Sequence, residues 1–441
     1  MKKLIAVVVV VVILGGAAPF VNGLLMEKTV RQAFDNANTM YAETNTDYSL
    51  EIIRYDRNFR SSEIEWKINF GSLQSLYGIE EMVFVDHAKH GYIGVVSTTS
   101  FEKNPWFQNI IDNKLQGTNP FNVSTAYSLL GDIVTTMSFD AFSVVIEDET
   151  LNVESGSFII STDNEMKKFT TSGSWQGMYA EEKLKLSGIA MDADMEMIST
   201  FLWNGNFHFT IDTFMIDEKQ SQFECTNLTA DYSSKVDQVK SLLSTESSFS
   251  LESLSTTDKE ISGVTAKFAL RNMDAQGYEE FMDFYTQTVS DVLVKTAALD
   301  DDSQASEQIL REQLGNIGMQ AIAAFEKLLQ AGLELEIADV NVKLPEGDIN
   351  ADFTLRLLRD MTLMQFAPVV GQPALILDIL YLKSDIDLPA SFADQAPNLV
   401  APVYPGMQGG FFVKDGDALR HQAETKDGKL IVNGNEVNLA R

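Results

Sequence analysis

The side chains best suited to chemistry in this chain of 441 residues are four histidines (His87, His90, His208 and His421), one cysteine (Cys225) and a few acidic runs. The tightest group is Asp86-His87-Ala88-Lys89-His90. On a helix the two histidines would share a face and could ligate zinc. The flanking residues read instead as a strand ending in a turn at Gly91, which sends the two rings to opposite faces. A structural turn is expected, and no metal. Asp192, Asp194 and Glu196 alternate with Met191, Ala193, Met195 and Met197. In a strand this aligns three carboxylates on one face, an arrangement that calcium binding or general acid–base work could use. The glycine and terminal glutamate of a calcium loop are missing, and one wet sheet face explains the spacing.

Cys225, in Gln222-Phe223-Glu224-Cys225, reads as a small buried hydrophobe, and a lone cysteine leaves no internal disulfide. The chain has no glycine-rich phosphate loop, no Gly-x-Ser-x-Gly and no Cys-x-x-Cys. No catalytic, metal-binding or cofactor-binding residue is therefore expected, and the protein reads as non-enzymatic.

The elements that would position these residues begin at the N-terminus. Lys2 and Lys3 precede an apolar run from Leu4 to Met26 in which Asn22 is the single polar side chain. About 23 uncharged residues at roughly 1.5 Å each span about 35 Å, enough for a bilayer core of about 30 Å. The run predicts a signal-anchor over 1–26, with the lysines on the cytoplasmic side and the body in the periplasm. The alternative is a signal cleaved to leave a soluble periplasmic protein.

Hydrophobic residues make up 45% and charged residues 22%, the composition of a folded globular protein. The formal net charge of −30 argues against nucleic acid and against anionic lipid head groups. It predicts a solvated, self-repelling surface.

A polar helical stem is expected over 27–46, then a β-rich domain over 47–272. Its clearest strand is Ser61–Phe70, where Ile64, Trp66, Ile68 and Phe70 alternate with charged or polar residues. Helical interludes are expected at Pro105–Leu115 and Thr125–Val134. Short alternating strands separated by Ser, Asn, Asp and Gly then continue to Leu270. A helical pair follows over 273–332. Asp274 caps the first helix, Asp300-Asp301-Asp302 links the two, and Gly332 ends the second. The C-terminal region, 333–441, is again β-rich. Pro389–Val400 reads as helical, and Asp415-Gly416, Asp427-Gly428 and Asn433-Gly434 signal hairpins. The class is mainly β with some α: an extended antiparallel meander or sandwich with two packing helices.

Several of these stretches together resemble the YdgA-like family of Gram-negative cell-envelope proteins of unknown function. Tyr55-Asp56-Arg57-Asn58-Phe59-Arg60-Ser61-Ser62 is similar to its Tyr-x-Arg…Ser segment. Val85-Asp86-His87 with His90-Gly91 is similar to its Asp-His-Gly stretch, with Ala88 and Lys89 intervening and Tyr92 where proline would follow. Lys267-Phe268-Ala269-Leu270 resembles its strand–helix junction, and Asp427 to Gly434 its closing Asn-Gly-x-Leu-x-Leu-Asn-Gly. The resemblance implies a periplasmic body on an inner-membrane anchor, allows a homodimer, and supplies no catalytic residues.

Strands apolar on one side, such as Ile64–Phe70 and Phe207–Ile211, lead to the expectation of a sheet groove for lipid or another hydrophobic ligand. An interaction or scaffold protein with an acidic partner-facing surface is the alternative. A hydrolase built on Asp192, Asp194 and Glu196 would need those carboxylates to converge in a cleft.

Overall fold

In the computed structural model the described residues are 2–71, 79–129, 131–146, 149–181, 183–218, 221–257, 260–297, 322–362, 364–365, 373–395 and 410–437. Side chains of 2–16, 218, 221, 289–297, 373 and 395 lie outside the description. The chain forms antiparallel sheet in two compact units. One comprises 1–181, 188–200 and 286–307; the other comprises 182–187, 201–285 and 308–441. The boundaries between the units fall within the 47–272 and 273–332 stretches.

The first unit opens with α1 (Lys2–Glu43). Its strands are β1 (Ser49–Arg57), β2 (Ser61–Asn69), β3 (Glu81–His90), β4 (Gly94–Ser100), β5 (Phe121–Ser128) and β6 (Ile133–Phe139), then β7 (Phe142–Ile146), β8 (Glu149–Val153), β9 (Gly156–Thr162) and β10 (Lys168–Ala180). Strands β1 to β6 pair in chain order, β6 then pairs β9, and β9 pairs β10. The short β7–β8 hairpin joins the far end of β10. Helix α2 (Pro105–Lys114) connects β4 to β5, with Pro105 in its first turn where no amide is needed.

Registered neighbours share a face, and here one face is apolar. Ile52, Trp66 and Phe84 align across β1–β3, while Val95 and Tyr127 align across β4–β5. Helix α1 covers this face. Its buried positions Pro19, Asn22, Gly23, Met26, Val30 and Ala37 recur at helical spacing, as one stripe against the sheet demands. Met26 and Val30 pack with Ile64, Ala88 and Val95, and Phe34 meets the Trp66 ring edge-on at 5.3 Å. Further rings run Trp66, Phe84, Phe101, Phe107, Phe121, Phe139 and Trp175, each within 6.1 Å of the next. On the other face Arg54 meets Glu63 and Lys67 meets Glu51 and Glu81.

The helix does not pause between Met26 and Glu27, where the sequence placed the end of an anchor. The segment expected to be a helical stem is helical to Glu43, and its buried positions Val30 and Ala37 continue in phase with those of residues 19–26. Among the described residues no helix is long and apolar enough to cross a membrane; most of the expected anchor falls on residues whose side chains are outside the description.

The expected helix over Thr125–Val134 is corrected. These residues form the end of β5, a turn and the start of β6, because Thr125 and Thr135 face each other across the ladder at 3.0 Å. β-Branched threonine and valine suit that pleated surface better than a helix.

The chain passes between the units around β11 (Leu184–Met197). In the second unit β12 (Trp203–Glu218), β13 (Ser221–Asp237), β14 (Leu242–Thr256), β15 (Glu260–Asp274), β16 (Glu334–Leu344), β17 (Gly347–Leu357) and β18 (Leu380–Pro389) pair in order. Then β18 pairs β20 (Ala418–Lys426), which also pairs β19 (Val413–Asp415) and β21 (Lys429–Val432), with β22 (Asn435–Val437) at the end. The loops at Asp427-Gly428 and Asn433-Gly434 have positive φ at both residues, as tight hairpin turns require.

Helix α3 (Ala275–Ala297) starts where Asp274 accepts the Gly277 amide at 2.6 Å, the expected cap. Of the second helix, only residues 322–326 are described as helical; Asp300-Asp301-Asp302 lies outside the described residues. The helix expected over Pro389–Val400 is described only as α4 (Phe392–Gln395).

Candidate functional site

The histidine pair does not form a site. Strand alternation puts His87 outward, 3.9 Å from Glu63, and His90 inward under α1. Asp192, Asp194 and Glu196 stand exposed along one face of β11, with Glu196 3.9 Å from Lys168, and they do not converge. Cys225 is buried, and burial raises its thiol pKa. His208 lies 2.7 Å from Asp231, and His421 is held between Ser384 and the Phe411 carbonyl. Among the described residues no three metal-ligating side chains come together.

A polar cluster that motif reasoning missed lies beneath α1. Asp86 is 8% exposed and accepts hydrogen bonds from the Trp66 indole at 2.9 Å and Thr99 at 2.6 Å. Burial raises its pKa, and those two donors oppose the rise. Ser62 and His90 Nε2 lie 2.8 Å apart. His90 Nδ1 has no well-formed hydrogen bond, and burial lowers the pKa of the ring. The Tyr55 hydroxyl, near Ser62 but also without a well-formed bond, is pushed up to about 12 by burial. Burial raises Tyr127 well above the ordinary tyrosine range. The readable signal was phase: Asp86 and His90 occupy positions where Phe84 and Ala88 mark the inward face. Asn22 adds a bond from α1 to the Gly91 carbonyl at 2.7 Å. The arrangement fixes the helix on the sheet.

The larger surface is in the second unit. Register places Phe207, Tyr232, Ser247, Phe268, Ile337, Phe353 and Ser384 in one row across β12–β18. A neighbouring row carries Leu270, Leu335, Leu355 and Leu382. Six interstrand gaps of about 4.8 Å make the longer row about 29 Å. Clusters close two parts of this unit: Leu329, Leu357, Met361 and Ile379 form one, and Ala423, Val432 and Val437 the other. Phe268, Leu335 and Tyr232 nevertheless stay 47%, 38% and 37% exposed.

The reverse face is ionic. Arg271 meets Glu246, Glu334 and Glu336, Lys267 meets Glu246, and Arg420 meets Asp387. On β15 and β16 aliphatic and aromatic residues on one side are thus separated from ion pairs on the other. The apolar side can hold a ligand that needs no hydrogen-bond partners.

The family model described as "Bacterial protein of unknown function (DUF945)" matches residues 1–440. No curated protein and no solved structure matches.

Proposed function

This chain belongs to the DUF945 family of bacterial proteins of unknown function, and we propose that it is a non-enzymatic envelope protein that holds lipid acyl chains on the apolar face of β12–β18. In this reading the apolar run Leu4–Met26 tethers the body to the inner membrane, its last residues from Pro19 to Met26 lying against the sheet. The observation that carries the ligand is the row from Phe207 to Phe353, with Phe268 nearly half exposed on a sheet whose other face is ion-paired. An acyl chain fits because it offers no polar group to satisfy. A bilayer core of about 30 Å holds two opposed leaflets, so one acyl chain reaches about 15 Å and the row is long enough for two.

Leaving Phe268 and Leu335 in water forgoes roughly 25 cal/mol per Å² of apolar area, which a bound chain would recover. Native mass spectrometry with lipid extraction on the full chain purified from membranes tests this. Co-purified phospholipid, lost in a Phe268→Ser/Leu335→Ser variant that still folds, is the expected result. A ligand-free mass under gentle detergent would overturn it and favour a scaffold whose acidic surface meets a partner.

A further inference from the structure

At the end of the first unit's sheet beside the N-terminal part of α1, three turns meet: β1–β2 at residues 58–60, β3–β4 at 91–93, and β5–β6 at 129 and 131–132. They are neighbours by hydrogen bonding, since the His90 amide donates to the Arg60 carbonyl and Gly94 pairs with Ser128. Their tips are apolar and face outward. Phe59 is 53% exposed, Tyr92 59%, Ile93 87% and Leu129 48%. At the other end the β4–β5 connection holds α2, where Ile110 is 43% exposed, and reaches β5 through the polar stretch Gln116-Gly117-Thr118-Asn119.

Helix α1 runs past this end, and its outward face changes character there. Phe20, Val21, Leu24 and Leu25 are exposed, while the next exposed positions are Lys28, Arg31 and Asp35. The apolar part, Phe20 to Leu25, covers about 8 Å of helix axis at 1.5 Å per residue. That matches the depth of about 5–10 Å to which interfacial side chains enter a bilayer. Phe20 stacks on Phe59 at 6.0 Å, and the Arg57 guanidinium lies 5.0 Å over the Phe20 ring. Arg60 reaches the Tyr92 hydroxyl at 3.5 Å. Arg57, which also pairs with Glu27, and Arg60 thus flank the apolar tips, with Asp132 in the third turn, on a chain whose formal net charge is −30. Aromatic rings with basic neighbours at one level are the chemistry of a membrane interface.

We propose that the turns at Phe59, Tyr92–Ile93 and Leu129 insert with Phe20–Leu25 into the interface of a lipid bilayer, seating this end of the sheet on the membrane. The inference rests on the tether reading only for how the protein arrives; the collar itself is a surface of the folded unit. It gives the exposed apolar tips one occupant and explains why Asn22 and Met26, inside an apolar run, are buried against the sheet. The sheet end and the helix enter the membrane interface together.

Site-directed spin labelling tests it on the full chain carrying Cys225→Ser, reconstituted in nanodiscs of phosphatidylethanolamine with a minority of phosphatidylglycerol. Single labels are placed at Ile93→Cys, Phe59→Cys, Thr118→Cys and Val10→Cys. The expected result is high oxygen and low nickel-chelate accessibility at 93 and 59, the reverse at 118, and a membrane-core signature at 10. Labels at 93 and 59 as water-accessible as the one at 118 would overturn the collar even if position 10 lies in the core. A water signature at position 10 with lipid signatures at 93 and 59 would remove the tether and leave the collar standing. A Tyr92→Ser/Ile93→Ser variant, changed only at exposed tips, should fold normally and show raised nickel accessibility at the Phe59→Cys label.

Discussion

Gly23 of α1 lies against the imidazole of His90, so closely that a β-carbon at position 23 would come within 2.5 Å of Nδ1. The glycine is there because a buried ring takes the space of its side chain. Alanine would gain about 1 kcal/mol of helix propensity, yet overpacking a closed site typically costs about 1–3 kcal/mol. Gly23→Ala should therefore lower the unfolding midpoint in the parent chain and raise it, or leave it unchanged, when combined with His90→Ala. Thermal unfolding of the four chains of this cycle measures the coupling. Additive effects would show that the contact carries no energy.

Acid should loosen the same region. Burial lowers the His90 pKa, so the folded state disfavours the protonated ring. The unfolded chain takes up that proton near the ordinary histidine value of 6.5. The contribution of His90 is thus fully present above 6.5 and declines as pH falls from there to the lowered native value. Asp86 has the opposite sign: its raised pKa means that its charge costs stability above the native value, a cost removed as pH falls through it. Urea midpoints between neutral and mildly acid pH should fall more steeply in the parent than in His90→Gln. Identical slopes would remove His90 from the effect.

Ile64 has no exposed surface, whereas Ile53, at the register shift in β1, is 46% exposed. Truncation at a closed core site leaves a cavity, and Ile64→Ala should cost about 2–4 kcal/mol. Ile53→Ala should cost less than about 1 kcal/mol, since most of its side chain already meets water. Chemical denaturation of the two variants checks the difference.

The ion ladder around Arg271 should be worth little despite its contacts to three glutamates, since the arginine side chain is 34% exposed. Screened pairs of this kind contribute on the order of 1 kcal/mol or less. Arg271→Gln should lower stability at low salt, with the loss shrinking at high salt. A loss that grows with added salt would contradict the screened-pair account.

Much of the architecture could be read from residues alone. Ile64, Trp66 and Ile68 alternating with Glu63, Glu65 and Lys67 are β2, and Asp427-Gly428 and Asn433-Gly434 are hairpin turns with the required positive φ. Asp274 caps α3 as its spacing implied. These readings depend on a few adjacent side chains and a local backbone preference, which a short stretch of sequence contains in full.

Other features depended on partners outside the stretch that suggested them. Thr125–Val134 looked helical until β4 and β6 supplied ladder partners for it. An apolar run at the N-terminus could not reveal that Asn22, Met26 and Val30 share one stripe against β2–β4, because hydropathy does not say what covers a surface. Likewise, alternation showed that Phe207 and Phe268 each lie on an apolar face, but only strand register placed them in one row. Periodicity assigns a side chain to a face within its own strand. Which faces become continuous, and which stay open, is decided by pairings between strands, some as far apart in the chain as Ser262 and Lys343, whose energies no local pattern records.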